Sequence, residues 1–415
     1  MKDKSHPAAD GKNQPLNRRR FLAGTGAAAV SFTVLKPAWV RGAEANAKLD
    51  LGLIGCGGRG QWIANLFAQN GGYNIAAVAD YFPDRVDEAG QKFQVDAARR
   101  FTGLSGYQRL LEQKLDAVAI ISPPYFHPEQ ASAAVAAGKH VYLAKPIAVD
   151  VPGCHSVAES GRKATERKQC FLVDFQTRAH PSYQEVVKRV QDGMIGRIVS
   201  VDAGYQCSLM FEGLNDALAK DPNNPELRLR AWSIDRALSG DVITEQNIHA
   251  LDVATWFLDA APLKAYGTGG RTRPFVGNCW DHFAVVFYFP NDVIVSFSSK
   301  QVGAAFDDIL CRVYGTGGTA DTHYFGDVWV KSREDGFNGG RMANLYTDGA
   351  VNNIAAFHKC VTRGDVSNAT VAPSVRSNLT TILGRTAAYR GTEVTWEEML
   401  RANEKLTAQL DGLKA

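Results

Sequence analysis

Two stretches of this chain combine residue types and spacings suited to chemistry. The first is Gly55-Cys56-Gly57-Gly58-Arg59-Gly60, a G-x-G-x-x-G turn, with Asp80 standing 25 residues beyond Gly55. Such a turn lets the backbone approach a diphosphate: Gly55 permits the tight turn, Gly57 the close approach, and Gly60 the packing of helix on strand. A helix opening there supplies free N–H groups and the positive end of its dipole. A carboxylate at the Asp80 position accepts from both ribose hydroxyls and repels a 2′-phosphate, which favours NAD over NADP; Arg59 and Arg85 stand near enough to blunt that preference. The second stretch is Glu245, His249 and Asp252. Residues four apart share one face of a helix. A carboxylate beside an imidazole orients it, and an imidazole suits proton transfer near neutrality. The same spacing permits a metal pair, but no third ligand is evident, so no metal is expected.

The elements around these residues follow from hydrophobic patterning. Continuously apolar runs at 51–54, 75–79, 117–121, 141–143 and 171–173 alternate with helix-compatible stretches at about 59–70, 83–98, 106–114, 128–137 and 152–166. Strands apolar on both sides belong to parallel sheets covered by helices, and the βαβαβ order predicts a doubly wound Rossmann sheet with its crevice at the carboxyl ends of the strands. Past residue 196 the runs alternate, at 198–205, 263–268, 283–289, 293–298, 309–314 and 328–330, with Gly, Pro and Asn turns between them. These predict a C-terminal α+β domain with a large open antiparallel sheet.

Residues 138–146 read Gly-Lys-His-Val-Tyr-Leu-Ala-Lys-Pro, preceded by Ser122, Pro123 and His127. Here the chain resembles the Gfo/Idh/MocA oxidoreductases, whose pattern is a proline turn, a His, then G-K-H-V and E-K-P. Lys145-Pro146 matches the K-P pair, and Ala144 stands where the family usually has Glu. The segment Gly240–Asp252 is similar to the family's G-G-G-x-x-x-D-x-G-x-H-x-x-D, with Glu245 at the Asp position, His249 at the His, Asp252 at the terminal Asp, and Asn247 in place of Gly. The resemblance spans about 46–400. It implies that Lys145, His249 and Glu245 act on the reacting hydroxyl, with Glu245 orienting His249. It also implies that Ser122, Pro123, His127, Lys145 and Gln176 line the cofactor, and that Arg178 and Asp252 face the substrate. Trp232, Tyr205 and Trp280 are candidate walls for a sugar ring, since aromatic faces pack against axial C–H bonds.

The N-terminus reads as an export leader. Arg18-Arg19-Arg20-Phe21-Leu22 precedes an Ala/Gly-rich apolar run to about Leu35 and a small-residue stretch near Ala43 and Ala45. A charged segment, a short apolar segment and a small-residue end make a signal peptide, here of twin-arginine type, too short to span a bilayer stably. The expected organisation is therefore leader 1–45, Rossmann domain 46–174 and substrate domain 175–415, in a periplasmic or otherwise exported protein. Seven scattered cysteines without a C-x-x-C pair predict small buried hydrophobes rather than a disulfide framework. The chain has 415 residues, is 45% hydrophobic and carries a formal net charge of +3. That balance excludes a disordered chain and leaves no electrostatic footprint for nucleic acid.

The expected activity is hydride transfer from a secondary hydroxyl of a sugar, polyol or glycoside to a nicotinamide cofactor, with Lys145 and His249 sharing the proton work. Export removes the protein from a soluble NAD pool, so tight retention of the cofactor is expected. Internal recycling of the hydride would also permit redox-assisted glycoside hydrolysis, by oxidation, elimination, hydration and reduction. A non-catalytic dinucleotide-binding sensor is the alternative from another class. An exposed face on a large open sheet predicts a homo-oligomer.

Overall fold

The computed structural model describes residues 48–415, so the leader expected at 1–45 lies outside the described residues. The first sheet contains β1 (Leu49–Ile54), β2 (Tyr73–Asp80), β3 (Arg100–Thr102), β4 (Ala117–Ile120), β5 (His140–Ala144) and β6 (Phe171–Asp174). All are parallel, in the order β3-β2-β1-β4-β5-β6. This is the doubly wound arrangement, with its switch point between β1 and β4. β4 and β6 are buried at every position, as strands covered on both faces must be. β3 was not visible in the sequence, because three residues at a sheet edge carry too short a pattern to read.

The second sheet has nine strands: β7 (Ile198–Cys207), β8 (Lys264–Gly270), β9 (His282–Tyr288), β10 (Ile294–Gln301), β11 (Asp308–Gly315), β12 (Gly318–His323), β13 (Asp327–Ser332), β14 (Gly336–Arg341) and β15 (Val394–Thr395). Their order is β14-β13-β12-β11-β7-β10-β9-β8-β15. β10 alternates exposed and buried positions along nearly its whole length, the signature of a sheet with one face on the core. The sheet is mixed rather than purely antiparallel, since β10 runs parallel to β7, pairing Ile294 with Ser200 through Gln301 with Cys207. The cause is connectivity. Between β7 and β8 the chain forms several helices, then returns through two antiparallel steps, so no hairpin joins β7 to β10.

The C-terminal part folds back onto the first domain. The helix Leu345–Arg363 buries Ala350, Ile354 and Phe357 against Ile63 and Phe67 of the helix Gly58–Asn70. Cys170, just before β6, forms a disulfide with Cys360 near the end of Leu345–Arg363, with a Cα–Cα distance of 6.1 Å. This corrects the expectation of unpaired cysteines: 190 residues separate the two, so no local spacing announces the pair. Cys56, Cys154, Cys279 and Cys311 are free and buried, as small hydrophobes are. Among the described residues no helix is long and apolar enough to cross a membrane.

Candidate active site

The glycine turn lies at the carboxyl end of β1. Gly55 has φ +94°, and a Cβ there would fall 2.6 Å from the Ile121 carbonyl carbon. A Cβ on Gly60 would sit 1.8 Å from the Gly55 oxygen. Over Gly57 the nearest neighbour of such a Cβ is the Arg85 guanidinium at 3.6 Å, so that side of the turn stays open. No side chain caps the helix Gly58–Asn70 and its first turn holds no acid, leaving its N–H groups free for an anion. Asp80 ends β2. Its Oδ2 accepts the Cys56 N–H at 2.7 Å and its Oδ1 the Phe82 N–H at 3.0 Å, while burial pushes its carboxyl above the usual range. Beyond it opens a cleft lined by Gly55, Asp80, Arg85, Ser122, Pro123 and Leu229. The open turn, the carboxylate at the end of β2 and the adjoining cleft fit a dinucleotide.

Two expected cofactor contacts have other duties. His127 is buried, with Nδ1 2.8 Å from the Pro146 oxygen and Nε2 2.7 Å from the Ser122 oxygen, so it braces the ends of β4 and β5 together. Arg59 does not reach toward Asp80. Its Nη2 lies 2.8 Å from Asp174, its Nη1 bonds the Tyr346 hydroxyl, and its guanidinium lies over the rings of Trp62 and Tyr346. Arg85 alone of the two arginines lines the cavity.

Lys145 follows β5, and its bond to Pro146 is cis. Its Nζ lies 2.6 Å from the Glu245 carbonyl oxygen and 3.4 Å from the Glu245 carboxylate. Burial lowers the ammonium's pKa, Glu245 opposes this, and Arg59 adds to it. His249 comes from the other domain, on the helix Ile248–Leu258. Burial, then the charges of Lys145 and Arg59, push its pKa well down, which keeps the imidazole neutral near pH 7. Lys145, at the carboxyl end of β5, thus grips the segment just before His249 through the Glu245 carbonyl, and both side chains are buried.

Glu245 does not orient His249. It ends the short helix Val242–Glu245, and His249 belongs to the next helix, so the two do not share a helix face. The break is where the Glu245 carbonyl turns to Lys145; the His249 N–H bonds the Gln246 oxygen instead. The partner of His249 is Tyr324, whose hydroxyl lies 3.1 Å from Nδ1 and 3.4 Å from the Gln176 Oε1. Gln176, fully buried, donates its amide to Asp174 at 2.9 Å, and Asn353 donates to the same carboxylate at 2.8 Å. Asp174 pairs in register with Ala144 across β5 and β6, so the carboxylate absent at 144 reappears on the adjacent strand. Asp174 and Tyr324 were missed as functional residues. Asp174 was visible as a strand end, whereas Tyr324 follows β12 with no local signal.

The remaining substrate candidates all have partners inside the protein. Arg178 and Asp252 form a multiply bonded ion pair at 2.9–3.0 Å, and Ser377 also donates to Asp252, which is fully buried. The pair therefore braces this part of the protein from within, through Arg178 Nε and Nη2. Trp232 packs in the apolar cluster of Phe82, Leu229 and Leu238. Trp280 stacks on Tyr389 at 3.9 Å and leans on Phe283. Tyr205, on β7, is buried in the core beneath the sheet. Asn247, between Glu245 and His249, is buried with neither amide atom partnered among the described residues.

Known proteins share this architecture. A family model described as an oxidoreductase family, NAD-binding Rossmann fold matches residues 49–175, and one described as the GFO/IDH/MocA C-terminal domain matches 183–321. Inositol 2-dehydrogenase 2 of Saccharopolyspora erythraea is 26% identical over 331 residues, which cover 78% of this chain and 88% of that protein. Glycosyl hydrolase family 109 protein 3 of Phocaeicola vulgatus is 29% identical over 158 residues, covering 37% of this chain and only 28% of that protein. A levoglucosan dehydrogenase solved with NADH and levoglucosan has the same fold, with TM-score 0.67 and 18% identity over 84% of this chain and 99% of that one. With both halves matched in order around one buried site, this chain belongs to the Gfo/Idh/MocA family of oxidoreductases and carries its NAD-binding Rossmann domain.

Proposed function

We propose that the protein oxidises a secondary hydroxyl of a sugar, polyol or glycoside, using NAD in preference to NADP. The observation that carries this reading is geometric: Lys145 Nζ holds the Glu245 carbonyl 2.6 Å away, four residues before His249, and hydrogen bonds run from Arg59 of the glycine turn through Asp174, Gln176 and Tyr324 to His249. The names of the relatives, inositol 2-dehydrogenase and levoglucosan dehydrogenase, supply the substrate class. NAD, when bound, supplies the hydride acceptor. Gly57 and the free N–H groups of Gly58–Asn70 hold the diphosphate, and Asp80 the ribose. Lys145 donates a hydrogen bond to the substrate oxygen, and neutral His249 takes its proton. The unpartnered amide of Asn247 is the added polar group for the substrate. The test is Lys145→Ala and His249→Ala assayed against a panel of sugars and polyols. Both variants retain NAD and lose turnover by about 10²-fold or more; near-wild-type turnover sinks the assignment.

The cofactor is proposed to be tightly held. Phe82 and Leu229, packed with Leu238 and Ala408, form an apolar wall of the cleft, and the C-terminal segment ties down there: the Leu104 N–H bonds the Lys414 oxygen at 3.1 Å and the Lys414 N–H the Tyr81 hydroxyl at 3.2 Å. This enclosure, with the glycosyl hydrolase relative, favours redox-assisted glycoside hydrolysis as the second reading. An aryl glycoside without added acceptor separates the two: phenol without NADH indicates hydrolysis, a keto-sugar with NADH indicates dehydrogenation. We also propose export through the twin-arginine route, supported by Arg18-Arg19-Arg20-Phe21-Leu22 and by a disulfide that suits an oxidising compartment. Fusion of residues 1–45 to a reporter that is active only after folded export tests it. A homo-oligomer is proposed from the exposed Val199, Tyr266, Tyr288 and Ile294 on the open sheet, and light scattering measures it.

A further inference from the structure

The bonding around His249 determines more than its position. Asp174 receives the amides of Gln176 and Asn353 and the guanidinium of Arg59, so its two oxygens serve as acceptors. The Gln176 amide nitrogen must therefore face Asp174, and its oxygen, which can only accept, must face the Tyr324 hydroxyl. A phenol has one proton. Directed at the Gln176 oxygen, it leaves the Tyr324 oxygen lone pairs toward His249 Nδ1, 3.1 Å away, and Nδ1 must then carry a hydrogen. A neutral imidazole protonated at Nδ1 has a bare lone pair on Nε2. That nitrogen has no hydrogen-bond partner among the described residues.

We infer that Asp174, Gln176 and Tyr324 form a positioning relay that holds His249 in the Nδ1–H tautomer, making its Nε2 the proton acceptor of the reaction. The inference rests on the proposed function and deepens it by separating the roles of the two candidate groups. In the step, the substrate O–H bond breaks, its proton joins Nε2, and the hydride leaves the carbinol carbon for the nicotinamide. The imidazolium formed keeps the same Nδ1–H bond to the Tyr324 oxygen, so no group has to turn as charge develops. Lys145, already bonded to Glu245, faces the oxygen as a hydrogen-bond donor. Asp174 reaches His249 through two neutral side chains, which orient it without placing a carboxylate against it.

The experiment is ¹⁵N NMR of histidine-labelled protein with NAD bound, His249 being identified by the signal lost in His249→Gln. Wild type is expected to show a protonated Nδ1 and a bare Nε2. Gln176→Leu removes the acceptor that directs the phenol, and its hydroxyl then donates to Nδ1; Tyr324→Phe removes the bonded oxygen altogether. Both variants are expected to shift His249 toward the Nε2–H form. Their kcat should fall tenfold or more, and the acid limb of the pH profile should move. NAD content and melting temperature verify that each variant is folded. A wild-type Nε2–H tautomer overturns the relay. So does a Gln176→Leu protein that is folded and unchanged in both tautomer and pH profile. The tautomer is read without substrate, so the expected spectrum from a protein that oxidises no carbohydrate leaves the relay standing and refutes the proposed function instead.

Discussion

The Glu245 carbonyl oxygen lies 2.6 Å from the Lys145 Nζ, at the point where the backbone leaves one helix and starts the next. An oxygen that would have continued the helix by accepting the His249 N–H is used instead to hold an amine from the other domain. Glu245 is thereby the partner of Lys145, and His249 is released to bond Tyr324.

That pairing has a measurable sign. The Glu245 carboxylate raises the Lys145 pKa against the lowering effect of burial. Glu245→Gln removes this opposition, so the lysine loses its proton at lower pH. The alkaline limb of the kcat/KM profile should move to lower pH. A limb that stays in place, measured from pH 6 to 10, disproves the electrostatic role.

The enclosure of the cofactor cavity depends on Leu229, which is contributed by the second domain and lines the cavity beside Asp80 and Arg85. Leu229→Ala should speed NAD dissociation about tenfold, equivalent to about 1.4 kcal/mol, with kcat little changed. Residual dinucleotide after gel filtration and stopped-flow fluorescence on dilution provide the readout.

His323 lies between Asp308 and Asp321, with Nδ1 3.0 Å from one and Nε2 3.3 Å from the other. The pairing of the ring with the Asp321 carboxylate is the main cause of a pKa raised to about 9. A raised folded-state pKa means that the pairing stabilises fully below the unfolded value of about 6.5 and is lost as pH rises through the folded value. The melting temperature should therefore decline from pH 6.5 to 9.5, and His323→Gln should flatten that decline while lowering the value at pH 6. Equal slopes for the two proteins would count against the cluster as a pH-dependent brace.

The disulfide joins the start of β6 to the helix that carries Tyr346 and Asn353. Cys360→Ser should lower stability by about 2–4 kcal/mol, checked by denaturant titration. Peptide mapping of the unreduced wild type should recover the Cys170–Cys360 pair.

The legible part of the site was the part with local patterning. Continuous apolar runs placed β1, β2, β4, β5 and β6 to within a few residues, because a strand buried on both faces has no polar positions to blur its edges. Gly55, Asp80 and Lys145 were readable for the same reason, since each terminates such a run. The Gly-rich β14 and the two-residue β15 were not, because pairing from neighbouring strands creates them. Arg178 and Asp252 misled for a related reason: residue types suited to binding a sugar are equally suited to binding each other, and only distance separates the cases.

By itself the sequence determined the doubly wound domain, the glycine turn with its acidic partner, the second sheet, and the lysine and histidine of the site. These follow from short-range rules, namely side-chain periodicity and the steric freedom of glycine. The tertiary structure alone decided which acid serves which base, that Asp174, Gln176 and Tyr324 converge on His249, and that Cys170 reaches Cys360. Apart from Asp174 and Gln176, which are near neighbours in the chain, those pairings join residues about 75 to 190 positions apart. Hydrogen bonds act only over a few ångströms, so a partner that distant in the chain becomes a partner only once both sheets have packed.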